Sequence, residues 1–303
     1  MTRQPHDQFA KQYLKELLEP LGVVEISREI PGETLAIDLI FEPSPQPPNN
    51  PPALGLLSQL ASTPCLLEPY RNCPSNPEIR NCTLKLFHVH AELQRQAKRE
   101  KRTLDEEQLP RLWILTPTVS ENIREGLGAR PDLTKWPAGV SLLAETLKVG
   151  IIAINQLPEI PETLWLRMLG KGGTQKRAIQ QVLELPPEYP QRRDILELVG
   201  IWRINVASKI ELEPEERELI MELSPAYLKW REDTLQEGIE RGIERGQRLT
   251  IEVLLRTRFG ELDEVLSGVI DSLLVLSPDE FMPLCLQLSR EELLERFGDR
   301  RDE

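Results

Sequence analysis

The sequence predicts an α/β domain followed by an all-α region. Three observations lead there. Short β-rich runs alternate with helical patterns over about the first 160 residues, helical periodicity then runs almost to the end, and two Ser-x-x-Glu boxes near the C-terminus open short helices. The divisions implied are residues 1–160 for the α/β domain, 161–234 for a helical extension, 235–249 for a Gly/Glu/Arg repeat helix and 250–299 for a small helical domain.

Phe9, Tyr13, Leu14, Leu17, Leu18 and Leu21 recur at helical spacing, and Pro20 with Gly22 closes that first helix. "GVVEISREI" and "ETLAIDLIFEP" are β-rich runs joined by Pro31-Gly32, so they read as a hairpin. Residues 43–53 hold six prolines in eleven positions, which neither a sheet ladder nor a helix accommodates. A short helix and a turn-rich stretch are expected after them, through "LGLLSQLASTPCLLEPYRNCPS". A long helix follows, with Asn76 as its N-cap and Pro77 at its first helical position. "RLWILTPT" and the runs Val140–Leu143 and Val149–Ile154 read as strands. In the last fifty residues, Ser277/Glu280 and Ser289/Glu292 form the two boxes, and Gly260 ends the helix before them.

Composition narrows the function. With 40% hydrophobic and 28% charged residues the chain has the balance of a globular protein. No apolar run reaches the roughly 18 residues of a membrane span, and "MTRQPHDQFAK" lacks a signal peptide's apolar stretch, so no membrane partner and a cytoplasmic location are expected. The net charge of -12 argues against a generally basic nucleic-acid binder. "RQAKREKR" is the concentrated basic stretch, and its Arg95, Lys98, Arg99, Lys101 and Arg102 form either a solvated helix end or a contact to DNA phosphates. Cys65, Cys73, Cys82 and Cys285 fit no zinc spacing and read as reduced thiols. His88 and His90, two apart on a helix, point to different faces. "GKGG" near 170 lacks the pattern of a phosphate loop and reads as a helix stop.

The most informative residue is Asp38. In "TLAIDLIF" both strand faces are apolar, so its carboxylate is half-enclosed and needs a counterweight. That is either a structural partner, such as Arg28 across the hairpin, or a metal ion.

Helix, hairpin with "AIDLIF", helix and strand together resemble the restriction-endonuclease-like core of the PD-(D/E)XK superfamily, a mixed sheet flanked by helices. The likeness is greatest to its bacterial branch of recombination-promoting, transposase-related nucleases. The stretches "PETLWLRMLGKGGTQKRAI" and "LLRTRFGELDEVL…LSREELLERF" are similar to bacterial proteins that join such a domain to a C-terminal helical one. The resemblance implies Mg²⁺-dependent hydrolysis of DNA phosphodiesters. In that family an Asp and a Glu-x-Lys hold one or two Mg²⁺ and the lysine positions the attacking water. Asp38 matches the first position, as metal ligand and catalytic residue. No Glu-x-Lys follows it: the proline-rich stretch stands there instead, and Glu78-Ile79-Arg80 is the nearest partial match, making Glu78 the second catalytic candidate. Glu33, Glu68 and Lys85 are further possibilities without the expected spacing. The implied site is therefore degenerate, and the alternative is a non-enzymatic oligomeric protein using the same fold as a scaffold.

"LQEGIERGIERGQRL" bears on that alternative. As a helix it sets Leu235, Ile239 and Ile243 on one stripe and Gly238, Gly242 and Gly246 on the next, with Glu237–Arg241 and Glu244–Arg248 at pairing distance. Three glycines cost a helix about 3 kcal/mol relative to alanine, which packing has to offset. Residues 235–248 are thus either a self-association helix or a charged linker.

Overall fold

A computed structural model describes residues 5–29, 36–46, 48–49, 51–207 and 214–298. It divides into two compact units, Met1–Tyr227 and Leu228–Glu303.

The first unit is built on a six-stranded sheet. Helix α1 (Pro5–Leu18) leads into β1 (Gly22–Glu29) and β2 (Ala36–Pro43), which pair antiparallel from Gly22 opposite Pro43 to Glu29 opposite Ala36. The expected Pro31-Gly32 turn and Glu33 lie outside the described residues. After the proline-rich stretch and the short helix α2 (Leu56–Leu60), the chain enters β3 (Cys65–Pro69). This strand corrects the turn-rich reading of that stretch. β3 is only five residues long, preceded by Pro64 and ended by Pro69, which hides its β character, yet it pairs antiparallel with β2 and parallel with β4 (Arg111–Thr116). Helix α3 (Asn76–Arg99) is the crossover between β3 and β4. β4 continues parallel to β6 (Val149–Ala153), and β5 (Val140–Leu142) closes the edge antiparallel to β6. The order is β1-β2-β3-β4-β6-β5.

Central strands need both faces apolar, and these have them. One face sets Ile40, Leu66, Leu112, Ile114, Val149 and Ile151 against Ile79, Cys82, Leu86 and Val89 of α3. The alternate residues Leu39, Phe41, Leu67 and Leu115 are buried as well. Helix α1 packs on β1, β2 and β3 through its apolar stripe. Helix α3 begins one residue earlier than Asn76 suggests: Ser75 is the N-cap, in a complete capping box with Glu78.

Helices α4 (Glu121–Gly126), α5 (Leu164–Arg167), α6 (Gly173–Glu184) and α7 (Arg192–Ala207) complete this unit up to the start of α8 (Pro214–Phe259). Helix α7 lies on α1, and Trp202 Nε1 donates to His6 Nδ1 at 3.1 Å. Tyr13 Oη donates to the Trp165 carbonyl at 2.7 Å, tying α1 to α5.

The second unit surrounds its own core. Ile251 and Leu255 of α8 meet Leu266, Val269, Ile270 and Leu273 of α9 (Glu264–Leu273), Phe281 and Cys285 of α10 (Pro278–Gln287) and Leu293 of α11 (Arg290–Phe297). Both expected capping boxes, Ser277/Glu280 and Ser289/Glu292, form at the starts of α10 and α11. Gly260, at φ +84°, follows the last residue of α8. Among the described residues no helix is long and apolar enough to cross a membrane.

Candidate functional site

Asp38 and Glu68 meet across β2 and β3. The strands pair Leu39 with Leu67, so the next step in register sets Asp38 against Glu68, and Asp38 N donates to Glu68 Oε1 at 3.2 Å. Glu68 is only 1% exposed, because β3 lies between β2 and β4 with α3 over that face. Helix α3 supplies what a buried carboxylate needs. Lys85 Nζ donates to Glu68 Oε2 at 2.7 Å, and the Cys82 thiol approaches the same oxygen at 3.7 Å.

The Asp38 side chain is 22% exposed and pairs with Lys11 of α1, at 2.6 Å from Nζ to Oδ1. Arg28 takes no part: it pairs with Glu92 at 3.1 Å and with Glu25 at 3.7 Å. Lys11 also meets Asp7 at 3.1 Å, so one ammonium group bridges two carboxylates. Asp7, Asp38, Glu68 and Lys85 line a cavity of about 430 Å³ together with His6, Tyr70, Arg71 and Gln175.

Electrostatics mark the place. Burial, reinforced by the charge on Asp38 and offset in part by Lys85, pushes the Glu68 carboxyl up to about 7. Burial works against the Lys11 ammonium, yet Asp38 and Asp7 outweigh it and its pKa is raised. The Cys82 thiol is pushed up to about 12, by burial and then by Glu68.

Glu78 is engaged elsewhere. Its carboxylate accepts from Ser75 N at 2.7 Å and from Ser75 Oγ at 2.6 Å, which holds it below the usual carboxylate range, and it does not line the cavity. The carboxylate that the fold brings to Asp38 is Glu68, and the lysine is Lys85, delivered by a helix instead of the strand. The signal available in the sequence was a single acid in the otherwise apolar run "CLLEP".

The basic residues Arg95, Lys98, Arg99, Lys101 and Arg102 occupy the end of α3 and the turn after it. Lys98 follows Lys85 by thirteen helical residues, about 20 Å along the axis. Arg95 and Arg99 line a shallow groove of about 190 Å³ with Arg28, Ile37, His88 and Glu92. All four cysteines are free thiols. His90 is buried against the Pro110 carbonyl, whereas His88 faces the groove.

Among the described residues, no group of three or more His, Cys, Asp and Glu side chains is placed to hold a metal ion. Two carboxylates, Asp38 and Glu68, are the available set. Mg²⁺ is ordinarily held by one or two carboxylates, with water and substrate phosphate filling its octahedron. Burial first and the charge on Asp38 second raise the Glu68 pKa, while Lys85 and Lys11 already stand against the two carboxylates. Two carboxylates are donors of the type a hard divalent ion takes, with water and phosphate supplying the remaining ligands. Comparison of the chain with protein-family models, curated proteins and solved structures gives no match.

Proposed function

We propose that this chain is a PD-(D/E)XK-like protein that hydrolyses DNA phosphodiesters with Mg²⁺, using the cavity between α1, β2, β3 and α3. One observation carries this reading: Asp38 and Glu68 adjoin on paired strands while Lys85 holds Glu68 inside a cavity. Asp38 and Glu68 would hold the ion. When bound, it supplies Lewis-acid stabilisation of phosphate charge and lowers the pKa of water.

The chain's own residues set up the rest. Lys85 works against the burial that raises the Glu68 pKa, so that toward and above neutral pH the carboxyl takes its ionised, ligating form, and the same ammonium would orient an attacking water. Lys11 neutralises Asp38 before substrate enters. Asp7 gives that ammonium a second carboxylate at 3.1 Å, so Asp38 is released without stranding a buried cation. Phe9, Leu115 and Leu169 line the cavity and limit water within it. Beyond the cavity, Arg95, Lys98, Arg99, Lys101 and Arg102 bind DNA phosphates along the end of α3.

Incubation with supercoiled plasmid and Mg²⁺ or Mn²⁺ tests this. The native chain nicks the plasmid, and Asp38→Ala, Glu68→Gln and Lys85→Met each reduce the rate by at least about 100-fold, the scale of losing a catalytic proton-transfer or charge-stabilising group. Equal nicking by the native chain and all three variants would refute the reading.

A second reading, self-association through residues 235–248, rests on exposure. Leu235, Ile239 and Ile243 are 57%, 56% and 55% exposed along α8, and Leu249 and Val253 extend their stripe. Residues 235, 239, 242, 246, 249 and 253 alternate steps of four and three, the seam of a coiled coil. A second copy of the chain supplies the apolar surface this stripe needs. Such assembly is compatible with the hydrolytic site and is the whole function if that site is inert.

A further inference from the structure

We infer that Lys11 regulates metal access to this cavity: its ammonium pairs with Asp38, and Asp38 ligates a divalent ion only as Lys11 moves wholly to Asp7. This rests on the hydrolytic reading above. Both carboxylates of the site carry an ammonium, Asp38 that of Lys11 at 2.6 Å and Glu68 that of Lys85 at 2.7 Å. The two pairs differ in what lies beyond them. Among the described residues Lys85 has Glu68 as its one ion-pair partner, whereas Lys11 also meets Asp7 at 3.1 Å.

Spacing on α1 puts the second acid there. Asp7 and Lys11 are four residues apart on one helical stripe, with the acid nearer the N-terminus, which is the favourable order. Helix α1 lies on β2, and that packing sets Asp38 against the same ammonium. The Lys11 side chain is more enclosed than either acid. A charge so enclosed has to stay paired, and Asp7 supplies the pair when Asp38 turns to another cation. Asp7 and Asp38 line the cavity whereas Lys11 does not, so the ammonium leaves Asp38 by a shift within the wall.

The backbone on both sides is held, so the exchange falls to the side chain. Trp202 of α7 packs on His6 and on Phe9, with ring centroids 5.5 Å apart in each pair. Tyr13 Oη ties the next turn of α1 to the Trp165 carbonyl, and β2, which carries Asp38, lies between β1 and β3. A cation ligated by Asp38 is a near neighbour of an ammonium 2.6 Å from the same carboxylate, and like charges that close repel even near a protein surface. Rotation about the outer bonds of Lys11 relieves that repulsion and keeps the ammonium on Asp7. The lysine thus lowers the affinity of the two-carboxylate site for its ion, and Asp7 recovers part of the loss. The ligand class is a hard divalent cation.

The test is binding of Mn²⁺ alone to the full-length protein, at a pH above the Glu68 range, read from the paramagnetic resonance of the free aquo ion. The native chain is compared with Lys11→Met, Lys11→Arg, Asp7→Asn and the double variant of Lys11→Met with Asp7→Asn, and Asp38→Ala marks the site. Lys11→Met is expected to bind Mn²⁺ about tenfold more tightly than the native chain, and Lys11→Arg, which keeps the charge, within about twofold of it. Asp7→Asn is expected to bind about tenfold more weakly, because the ammonium then has no second carboxylate to move to. That variant keeps the pair of Lys11 with Asp38 and serves where Lys11→Met does not fold. In the Lys11→Met background the cost of Asp7→Asn falls to about threefold or less, since it acts through the lysine. Unchanged or weaker binding in folded Lys11→Met, unchanged binding in Asp7→Asn, or the full Asp7→Asn cost in the double variant overturns the exchange, while Asp38-dependent nicking leaves the hydrolytic reading intact. Lys11-dependent Mn²⁺ binding without nicking does the reverse. A chain that binds no Mn²⁺ in either its native or its Lys11→Met form overturns both.

Discussion

Placing a carboxylate on the middle strand of a sheet removes it from water, and Glu68 carries the consequence. Its pKa of about 7 in the folded chain lies above the 4.5 of an ordinary glutamate, chiefly through burial and then through Asp38. Between those two values the folded state holds a proton that the unfolded state has released. The stabilisation Glu68 contributes is therefore complete below about pH 4.5 and is lost as pH rises to about 7. In urea unfolding of metal-free protein, the native chain is expected to lose on the order of 2 kcal/mol relative to Glu68→Gln across that window. Parallel stability curves for the two proteins would show that Lys85 cancels the burial of Glu68. Asp38 was legible in sequence because it is the lone charge in a long apolar strand, and such a charge demands a partner. Glu68 and Lys85 stood out only as possibilities without the expected spacing, since "CLLEP" is short with a proline at its end and another just before it, and Lys85 lies seventeen residues on. Lys11 was equally hidden: on α1 it reads as one more solvated lysine until the hairpin sets Asp38 beneath it.

At the level of elements, the sequence reveals what has period and length. The long helix α3, the strands β1, β2, β4, β5 and β6 and the two C-terminal capping boxes follow from spacing alone. β3 does not, because a five-residue strand buried on both faces has no alternation to read. The proline-rich stretch is an insertion between β2 and β3, so the second acid falls thirty residues after Asp38. The cap at Ser75 was also present in the letters, since "SNPE" is the same Ser-x-x-Glu box as the two near the C-terminus. Packing between β4 and β6 depends on an absence. Gly150 lies opposite Trp113, and a Cβ there would sit 2.1 Å from the indole Cζ3. Trp113 is buried and has Trp136 edge-on at 5.2 Å, so its ring has little freedom to yield. Gly150→Ala is therefore expected to destabilise the chain by about 2 kcal/mol through overpacking, read as a lower urea midpoint with an unchanged slope. An unaltered midpoint would mean that the indole repacks at no cost.

On the scale of the whole molecule, the boundary between the two units falls at Tyr227–Leu228, and the exposed stripe belongs to the second of them. The helical state of residues 235–248 was legible from spacing, whereas the fate of the charges was not: Arg248 pairs with Asp271 of α9, where Glu244 was the expected partner. The glycines give self-association a test with opposite signs. A Cβ on Gly238, Gly242 or Gly246 meets nothing within 4 Å in the single chain, so replacing all three with alanine should stabilise the helix by about 1 kcal/mol per site. If a second copy packs against the same stripe, the added methyl groups force the helices apart where close approach was possible, and association weakens. The expected outcome for the triple alanine variant is a higher melting temperature when dilute, together with at least about a tenfold weaker dimer in sedimentation velocity, equivalent to about 1.4 kcal/mol. A more stable variant that sediments as the native chain does at every concentration would leave the glycines without a role in assembly. A native chain that stays monomeric throughout would remove the second copy altogether.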